Sequence, residues 1–287
     1  MSFKRLPWAL WRAQILAILR LEVKKTFFTR RGAWIYLLAF APVMLYAAHS
    51  FVELRNGGHG DLGEDSHIFA SIFQFFFLRL AIFFGCLGIF GNLFRGEVLE
   101  KSLHYYFLAP LRRDILVVGK FLSGLLAATV IFCSSTLLQF VALYCYFSSN
   151  TFQEYLFHEH GLAHLAAYLG VTLLACIGYG SVFLAAGLLF RNPLIPTIAV
   201  LVWEAVNGFL PALLQQISVI FYLKSLCPVA APEAGYLDKN SLLAFLAVNP
   251  SPAAPATAIV GLLVLCLIIL ALSSLQVRRM QIDYGAE

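Results

Sequence analysis

The sequence predicts an all-α integral membrane protein with six transmembrane helices, and three observations support this fold class. Of the 287 residues, 61% are hydrophobic and only 12% are charged, and the mean hydropathy is +0.82. A soluble domain averages about a quarter charged residues, which excludes an ordinary soluble enzyme, a disordered protein and a nucleic-acid-binding domain. The third observation is six apolar runs that each reach the roughly 20 residues needed to cross a bilayer.

The six spans are predicted at about 33–51, 69–94, 115–147, 162–190, 194–223 and 256–276. They are expected to be helices, because a helix satisfies its own backbone polar groups in lipid. The third and fourth runs are longer than needed and are expected to tilt or to extend beyond the bilayer. Residues 1–287 then form a single transmembrane domain, with a six-helix bundle over 33–276 and an outer loop over 224–255.

Lysine and arginine set the orientation, because cytoplasmic segments carry an excess of both. Sixteen basic residues fall on the side of the two termini and three on the other side. Both termini are therefore predicted to be cytoplasmic.

Residues 1–31 are predicted to form a cytoplasmic amphipathic elbow helix. Basic residues fall largely between apolar residues that recur at helical spacing: Trp8, Trp11, Ile15, Ile18 and Leu19. Such a helix lies in the membrane interface, in contact with lipid and with its indoles at headgroup depth. It either anchors the chain or packs on the bundle and transmits motion.

The cytoplasmic loop 95–114, RGEVLEKSLHYYFLAPLRRD, holds more apolar residues than a plain connection needs. Leucines and aromatic residues are mixed with charges, and Pro110 is expected to end a helix. A short helix that presents such residues to a partner protein would use them. We therefore expect this loop to dock a partner.

This loop resembles the corresponding loop of ABC-2 type ABC transporter permeases. That loop reads roughly Glu, four residues, Thr-Leu, a Pro eight residues after the Thr, and a Gly-Lys that ends ten residues after the Pro. Glu97, Ser102, Pro110 and the pair Gly119 and Lys120 stand in this register. The layout of an amphipathic N-terminal helix, six spans and an irregular outer loop before the last span is also similar.

Two residues depart from the pattern, since Lys101 replaces the usual Gly and Ser102 replaces the Thr. The fold implied by the resemblance is that of a type V exporter, with a cytoplasmic coupling helix at about 96–110. Glu97 and Glu100 could pair with basic residues of the partner or stabilise the start of the coupling helix through its dipole. The coupling residues that the resemblance implies are Glu97, Glu100, Ser102, Leu103, Tyr106, Phe107, Pro110 and Arg113.

The resemblance implies that two permeases, this chain and a second copy or paralogue, pair around a central path and are driven by a separate ATPase subunit. The chain has no GxxxxGK[ST] phosphate loop, so ATP and Mg²⁺ are expected on the partner. No catalytic site, cofactor or metal site is expected in the chain itself. The implied function is export of a hydrophobic or amphiphilic drug, lipid or lipid-linked glycan across a bacterial inner membrane.

Apart from Lys120, which lies near the start of the third span and is counted with the basic residues of the cytoplasmic side, two charged residues fall inside predicted spans: Arg79 in the second and Glu204 in the fifth. Charges at this depth usually pair or face a cavity, so we expect an ion pair that locks two helices, or else a substrate contact. Glu204, Asn207, Pro211 and Gln215 are spaced to share one face of a continuous helix. With Arg79, this polar stripe is the predicted lining of the substrate path, although it could instead join helices by hydrogen bonds.

A secondary transporter that uses the Arg79 and Glu204 charges is the alternative function, but it would not need the amphipathic loop. An intramembrane enzyme is not favoured, since the chain has neither an HExxH nor a GxSxG motif. The phenylalanines of the second span are expected to pack or to face lipid. Small residues of the fourth span predict close helix contact: Gly170, Gly178, Ser181 and Ala185.

Overall fold

The computed structural model describes residues 8–28, 32–55, 61–99, 108, 112–158, 160–190, 192–229 and 253–279. These residues form helices and short connections. The helices are α1 (Trp8–Phe28), α2 (Ala33–Arg55), α3 (Leu62–Ile72), α4 (Phe83–Leu99), α5 (Arg113–Tyr144), α6 (Ser149–Phe157), α7 (Gly161–Leu189), α8 (Leu194–Val206), α9 (Ala212–Gln215), α10 (Val219–Leu226) and α11 (Pro255–Arg279). A π-helical segment, Phe73–Ile82, joins α3 to α4 without interruption.

Among the residues that the structure describes, five apolar helices are long enough to cross a membrane: α2, the continuous α3–α4 helix, α5, α7 and α11. This confirms an all-α protein with several membrane-spanning helices. The prediction of one continuous fifth helix over 194–223 is wrong, because α8 ends at Val206 and the chain turns through residues 207–218 before α10 begins. Lys224, predicted in the outer loop, lies within α10.

One end of the bundle, here called the basic end, holds the connection between α4 and α5 and the last turn of α11. Arg113 at the start of α5 donates from Nη1 to the carbonyl oxygens of Val277 at 3.1 Å and Arg278 at 2.9 Å. These bonds satisfy carbonyl groups that a helix C-terminus leaves without partners. The neighbouring Asp114 forms a two-point ion pair with the Arg278 guanidinium at 2.5 and 2.6 Å.

The opposite end of the bundle is joined by Asp65 in the first turns of α3. Its buried carboxylate accepts a hydrogen bond from the Tyr146 hydroxyl and lies 3.3 Å from Nε2 of His49. Burial, followed by the Asp65 carboxylate, raises the pKa of Tyr146 above its ordinary value. The contact ties α2, α3 and the turn after α5 together.

The core of the bundle is aromatic, and α4 and α7 lie against each other in its centre. The rings of Phe69 and Phe73 each contact Tyr168 of α7, with centroids 4.7 Å apart. Phe83 contacts Tyr179 in the same way at 5.3 Å. The sequence left open whether phenylalanines of the second span pack or face lipid, and these three are buried and pack within the bundle.

Glycines permit this close approach. Only some of them are the glycines that the sequence analysis indicated. A Cβ at Gly187 would lie 2.5 Å from the backbone oxygen of Gly91, so α4 and α7 meet there backbone to backbone. A Cβ at Gly178 would lie 2.6 Å from Val219, which confirms the predicted close contact there. Gly170 has open space where its Cβ would be, so close contact there was wrongly predicted.

Every fourth residue from Asp65 to Glu97 is buried along the continuous α3–α4 helix. In a regular α-helix of 3.6 residues per turn, each four-residue step advances such a line by about 40° beyond a full turn. The π-helical segment has i→i+5 hydrogen bonds and therefore holds more residues in each turn. It turns the helix less per residue, which offsets part of this advance within residues 73–82.

Candidate functional site

A buried ion-pair junction lies at the basic end and is centred on Lys120 of α5. Its ammonium lies 2.7 Å from Oε1 of Glu22 in α1 and 2.7 Å from Oε1 of Glu97 in α4. Lys120 is 0% exposed, and both glutamates are also buried. The ammonium donates a further hydrogen bond to the Leu93 carbonyl at 2.8 Å. Three helices are thus joined by one side chain.

The sequence around Lys120 explains why α1 packs there. Gly119 precedes it, and a Cβ at Gly119 would lie 2.9 Å from Cδ1 of Ile18. Ile18 and Glu22 are four residues apart and therefore share one face of α1. The absence of a side chain at Gly119 lets this face approach α5, which brings the Glu22 carboxylate to the ammonium. Breaking a buried pair of this kind typically costs 3–5 kcal/mol, about the scale of a large core mutation.

The structure describes only some of the residues predicted to couple the chain to an ATPase, and these lie in different surroundings. Glu97 is buried in the Lys120 junction, and Arg113 is bonded to the end of α11. Their contact with a partner protein stays a prediction. Leu108, in the same loop, is helical and 79% exposed. The remaining predicted coupling residues lie outside the described residues: Glu100, Ser102, Leu103, Tyr106, Phe107 and Pro110.

The second polar cluster lies at the break between α8 and α10. Both carboxylate oxygens of Glu204 accept backbone N–H groups at the start of α10, from Val219 at 3.0 Å and Ile220 at 2.9 Å. The Ser218 hydroxyl donates to the same carboxylate at 2.9 Å, and the Tyr179 hydroxyl lies 3.5 Å from it. Glu204 therefore supplies acceptors to a helix start that would otherwise expose unsatisfied donors.

Asn207 and Gln215 complete the break. The Asn207 side chain donates to the Gln215 carbonyl at 3.2 Å, and the Gln215 side chain donates to the Leu210 carbonyl at 2.8 Å. Pro211 is extended and comes immediately before α9. The predicted polar stripe on one helix face is therefore wrong, because Asn207 bonds to Gln215 across the break while Glu204 bonds to the start of α10. They satisfy backbone groups that the interrupted helix leaves open, as irregular backbone within a membrane requires.

The break lies near the middle of the bundle. Val219 packs against Gly178, which is roughly 25 Å along α7 from its first residue at 1.5 Å per residue. Arg79, in the π-helical segment, lies within coulombic range of Glu204 and of Lys224 in α10. Charged groups of the π-helical segment, α8 and α10 therefore lie near one another. A direct ion pair between Arg79 and Glu204 stays a prediction.

Sequence reasoning missed several members of these clusters, including Glu22, Tyr179, Ser218 and Lys224. For Glu22 a signal existed, because it is the sole acidic residue of the segment that forms α1. For Tyr179 and Ser218 no signal existed, because their role depends on where the chain breaks.

No protein-family model matches the chain, and no curated protein matches it either. Among the described residues, no group of three or more His, Cys, Asp or Glu side chains is placed to hold a metal ion.

Proposed function

We propose that the chain is the permease subunit of an ATP-driven transporter of the ABC-2 type. It forms a path with a second copy or paralogue and is coupled to a separate ATPase subunit, in a bacterial inner membrane with both termini cytoplasmic. One observation carries the proposal. Glu97, Gly119 and Lys120, three residues of the resemblance, meet α1 in one buried junction close to the end of α4.

The junction gives the loop a mechanical connection to the spans. The loop follows α4, which ends at Leu99, and leads into α5, which begins at Arg113. A partner that moves the loop would move the ends of both helices, and the Lys120 pairs would make α1 move with them. The ion pair between Asp114 and Arg278 extends this group to α11.

The interrupted fifth span supports a transport path. Broken helices at membrane depth occur where the backbone is buried in protein or lines a cavity, and in transporters they build substrate sites. Here the polar groups of the break lie at mid-bundle among aromatic side chains, with Tyr179 bonded to Glu204. An amphiphilic cargo, such as a drug, lipid or lipid-linked glycan, fits this combination of apolar wall and localised polar groups.

A secondary transporter is less well supported. The alternative uses the Arg79 and Glu204 charges, so the Glu204 carboxylate would have to exchange a proton or cation during transport. The Glu204 carboxylate instead receives hydrogen bonds from Ser218, Val219 and Ile220. This engagement favours a structural role for Glu204 and an external motor for transport.

Affinity purification of the chain in mild detergent tests the proposal. We expect a protein with ATPase activity to copurify and Leu108→Gln to release it, because Leu108 is 79% exposed on the predicted docking loop. The matched control is Phe157→Gln, at a side chain that is 68% exposed beyond the opposite end of the bundle. Purification of the folded chain alone, with transport that needs no ATP, would overturn the proposal in favour of the secondary transporter.

A further inference from the structure

The side of α1 that faces away from the bundle is both apolar and basic. Ile18 and Glu22 face α5 and are buried. On the remaining arc four large apolar side chains are each more than half exposed: Trp8, Leu10, Leu16 and Leu21. The same arc carries Arg12 and Arg20, which are exposed. We refer to these six residues together with Arg112 as the α1 surface.

The charge of the α1 surface is positive. Glu22 is the sole acidic residue in α1, and it is buried against Lys120 rather than presented on this surface. Asp114 lies 3.5 Å from Arg112, but the same carboxylate also binds Arg278. One carboxylate thus serves two guanidinium groups, so the surface as a whole keeps an excess of positive charge.

Arg112 extends the α1 surface from α1 to the start of α5. Its guanidinium lies over the Trp11 ring at 5.2 Å, and the Trp11 ring lies 5.2 Å from the Trp8 ring in an edge contact. Indoles favour the boundary between apolar chains and polar headgroups, and arginine pairs well with phosphate oxygens. The arrangement therefore presents a cation and two indoles side by side at the basic end.

We propose that the α1 surface binds the anionic phospholipids of the leaflet against which it lies. Apolar residues enter the boundary of the acyl chains, while Arg12, Arg20 and Arg112 bind headgroup phosphates. Attraction to an anionic leaflet is worth about 1 kcal/mol for each basic residue, or about a fivefold enrichment of the lipid. The binding does not depend on the proposed transport function.

Quenching of tryptophan fluorescence by brominated lipids tests this binding. The chain has four tryptophans, so Trp34→Phe/Trp203→Phe leaves only Trp8, on the α1 surface, and Trp11, whose ring contacts Trp8 and Arg112. The protein is reconstituted in phosphatidylcholine vesicles that contain the same small fraction of either brominated phosphatidylglycerol or brominated phosphatidylcholine. We expect stronger quenching by brominated phosphatidylglycerol, and Arg12→Gln, Arg20→Gln and Arg112→Gln should each lower its enrichment by up to about fivefold.

Arg55→Gln is the matched control, because the Arg55 guanidinium also stacks on an aromatic ring, that of Phe51 at 4.8 Å, but at the opposite end of the bundle. It should leave the preference for phosphatidylglycerol unchanged. Equal quenching by the two brominated lipids, measured on the protein that retains Arg12, Arg20 and Arg112, would overturn the proposal. Absence of quenching by both would also overturn it and would indicate that protein rather than lipid covers the α1 surface. Neither quenching measurement requires an ATPase or a transported substrate.

Discussion

Glu204 of α8 holds the first turn of α10, because its Oε1 accepts the backbone N–H of Val219 at 3.0 Å across the break between the two helices. A side chain from one half-helix thereby completes the backbone of the other half. The two halves are fixed relative to each other at mid-bundle without being continuous. A path that follows the break would have a rigid polar wall rather than a row of side chains on one helix.

Glu204→Ala should destabilise the protein by about 3 kcal/mol or more, because two backbone N–H groups and the Ser218 hydroxyl lose a buried acceptor. Unfolding in mild detergent measures the loss, and hydrogen exchange at Val219 and Ile220 should become faster. Gln216→Ala is the control, because its side chain is exposed in the same break. Unchanged exchange at both amides would show that Glu204 does not cap α10.

Lys120→Met should lower the free energy of unfolding by about 3–5 kcal/mol, because it leaves two carboxylates buried without their shared cation. Adding Glu22→Gln and Glu97→Gln should recover part of that loss, since the remaining groups are then neutral. Asp114→Asn breaks a more exposed ion pair at the same end and should cost only about 1 kcal/mol. Equal losses in Lys120→Met and the triple variant would contradict the assigned junction.

Gly187→Ala should destabilise the bundle by about 1–3 kcal/mol through overpacking, because the added Cβ would meet the Gly91 backbone at 2.5 Å. Gly170→Ala in the same helix has open space for its Cβ. That control should be neutral or slightly stabilising, since alanine favours helix over glycine. Thermal unfolding of the two variants side by side measures the difference, and similar shifts would argue against the close approach of α4 and α7.

Stability should fall above about pH 10 in part because of Tyr146. Its folded-state pKa is raised above the ordinary tyrosine value of about 10 by burial and by Asp65. This contribution is fully present below the ordinary value and is lost as the pH rises towards the folded-state pKa. Tyr146→Phe should therefore unfold with a shallower dependence on alkaline pH.

At neutral pH Tyr146→Phe should cost about 1 kcal/mol for the lost hydrogen bond. Tyr36→Phe, near the start of α2, removes the same hydroxyl far from Asp65 and is the comparison variant. The free energy of unfolding measured from pH 7 to pH 11 checks both. An alkaline slope that is the same with and without the Tyr146 hydroxyl would exclude this residue as its source.

The sequence was sufficient to predict an all-α protein with several spans, because apolar length alone determines where a helix can cross a bilayer. The sequence was not sufficient to predict that the helix expected over 194–223 is interrupted. The spacing of Glu204, Asn207 and Gln215 suits one face of a continuous helix, yet the same residues also suit a break whose backbone they satisfy. Pro211 was compatible with a kink or an interruption, and only tertiary packing distinguishes the two.

Glu97 shows a similar limit. Its position in a charged loop favoured exposure, but a lysine in the apolar context of Val117 and Phe121 needs an acidic partner. The sequence was sufficient to infer that Lys120 has an acidic partner, but it was not sufficient to identify that partner. Glu22 is 98 residues from Lys120 along the chain, and no local pattern links them.

The line of buried residues at every fourth position from Asp65 to Glu97 also connects two distant polar clusters. Asp65 at one end of the line binds Tyr146, and Glu97 at the other end binds Lys120. Insertion or deletion of one residue between them would rotate one end by about 100° relative to the other, so only one cluster could remain assembled. The residue count of the second span is therefore a constraint in addition to the identity of its buried side chains.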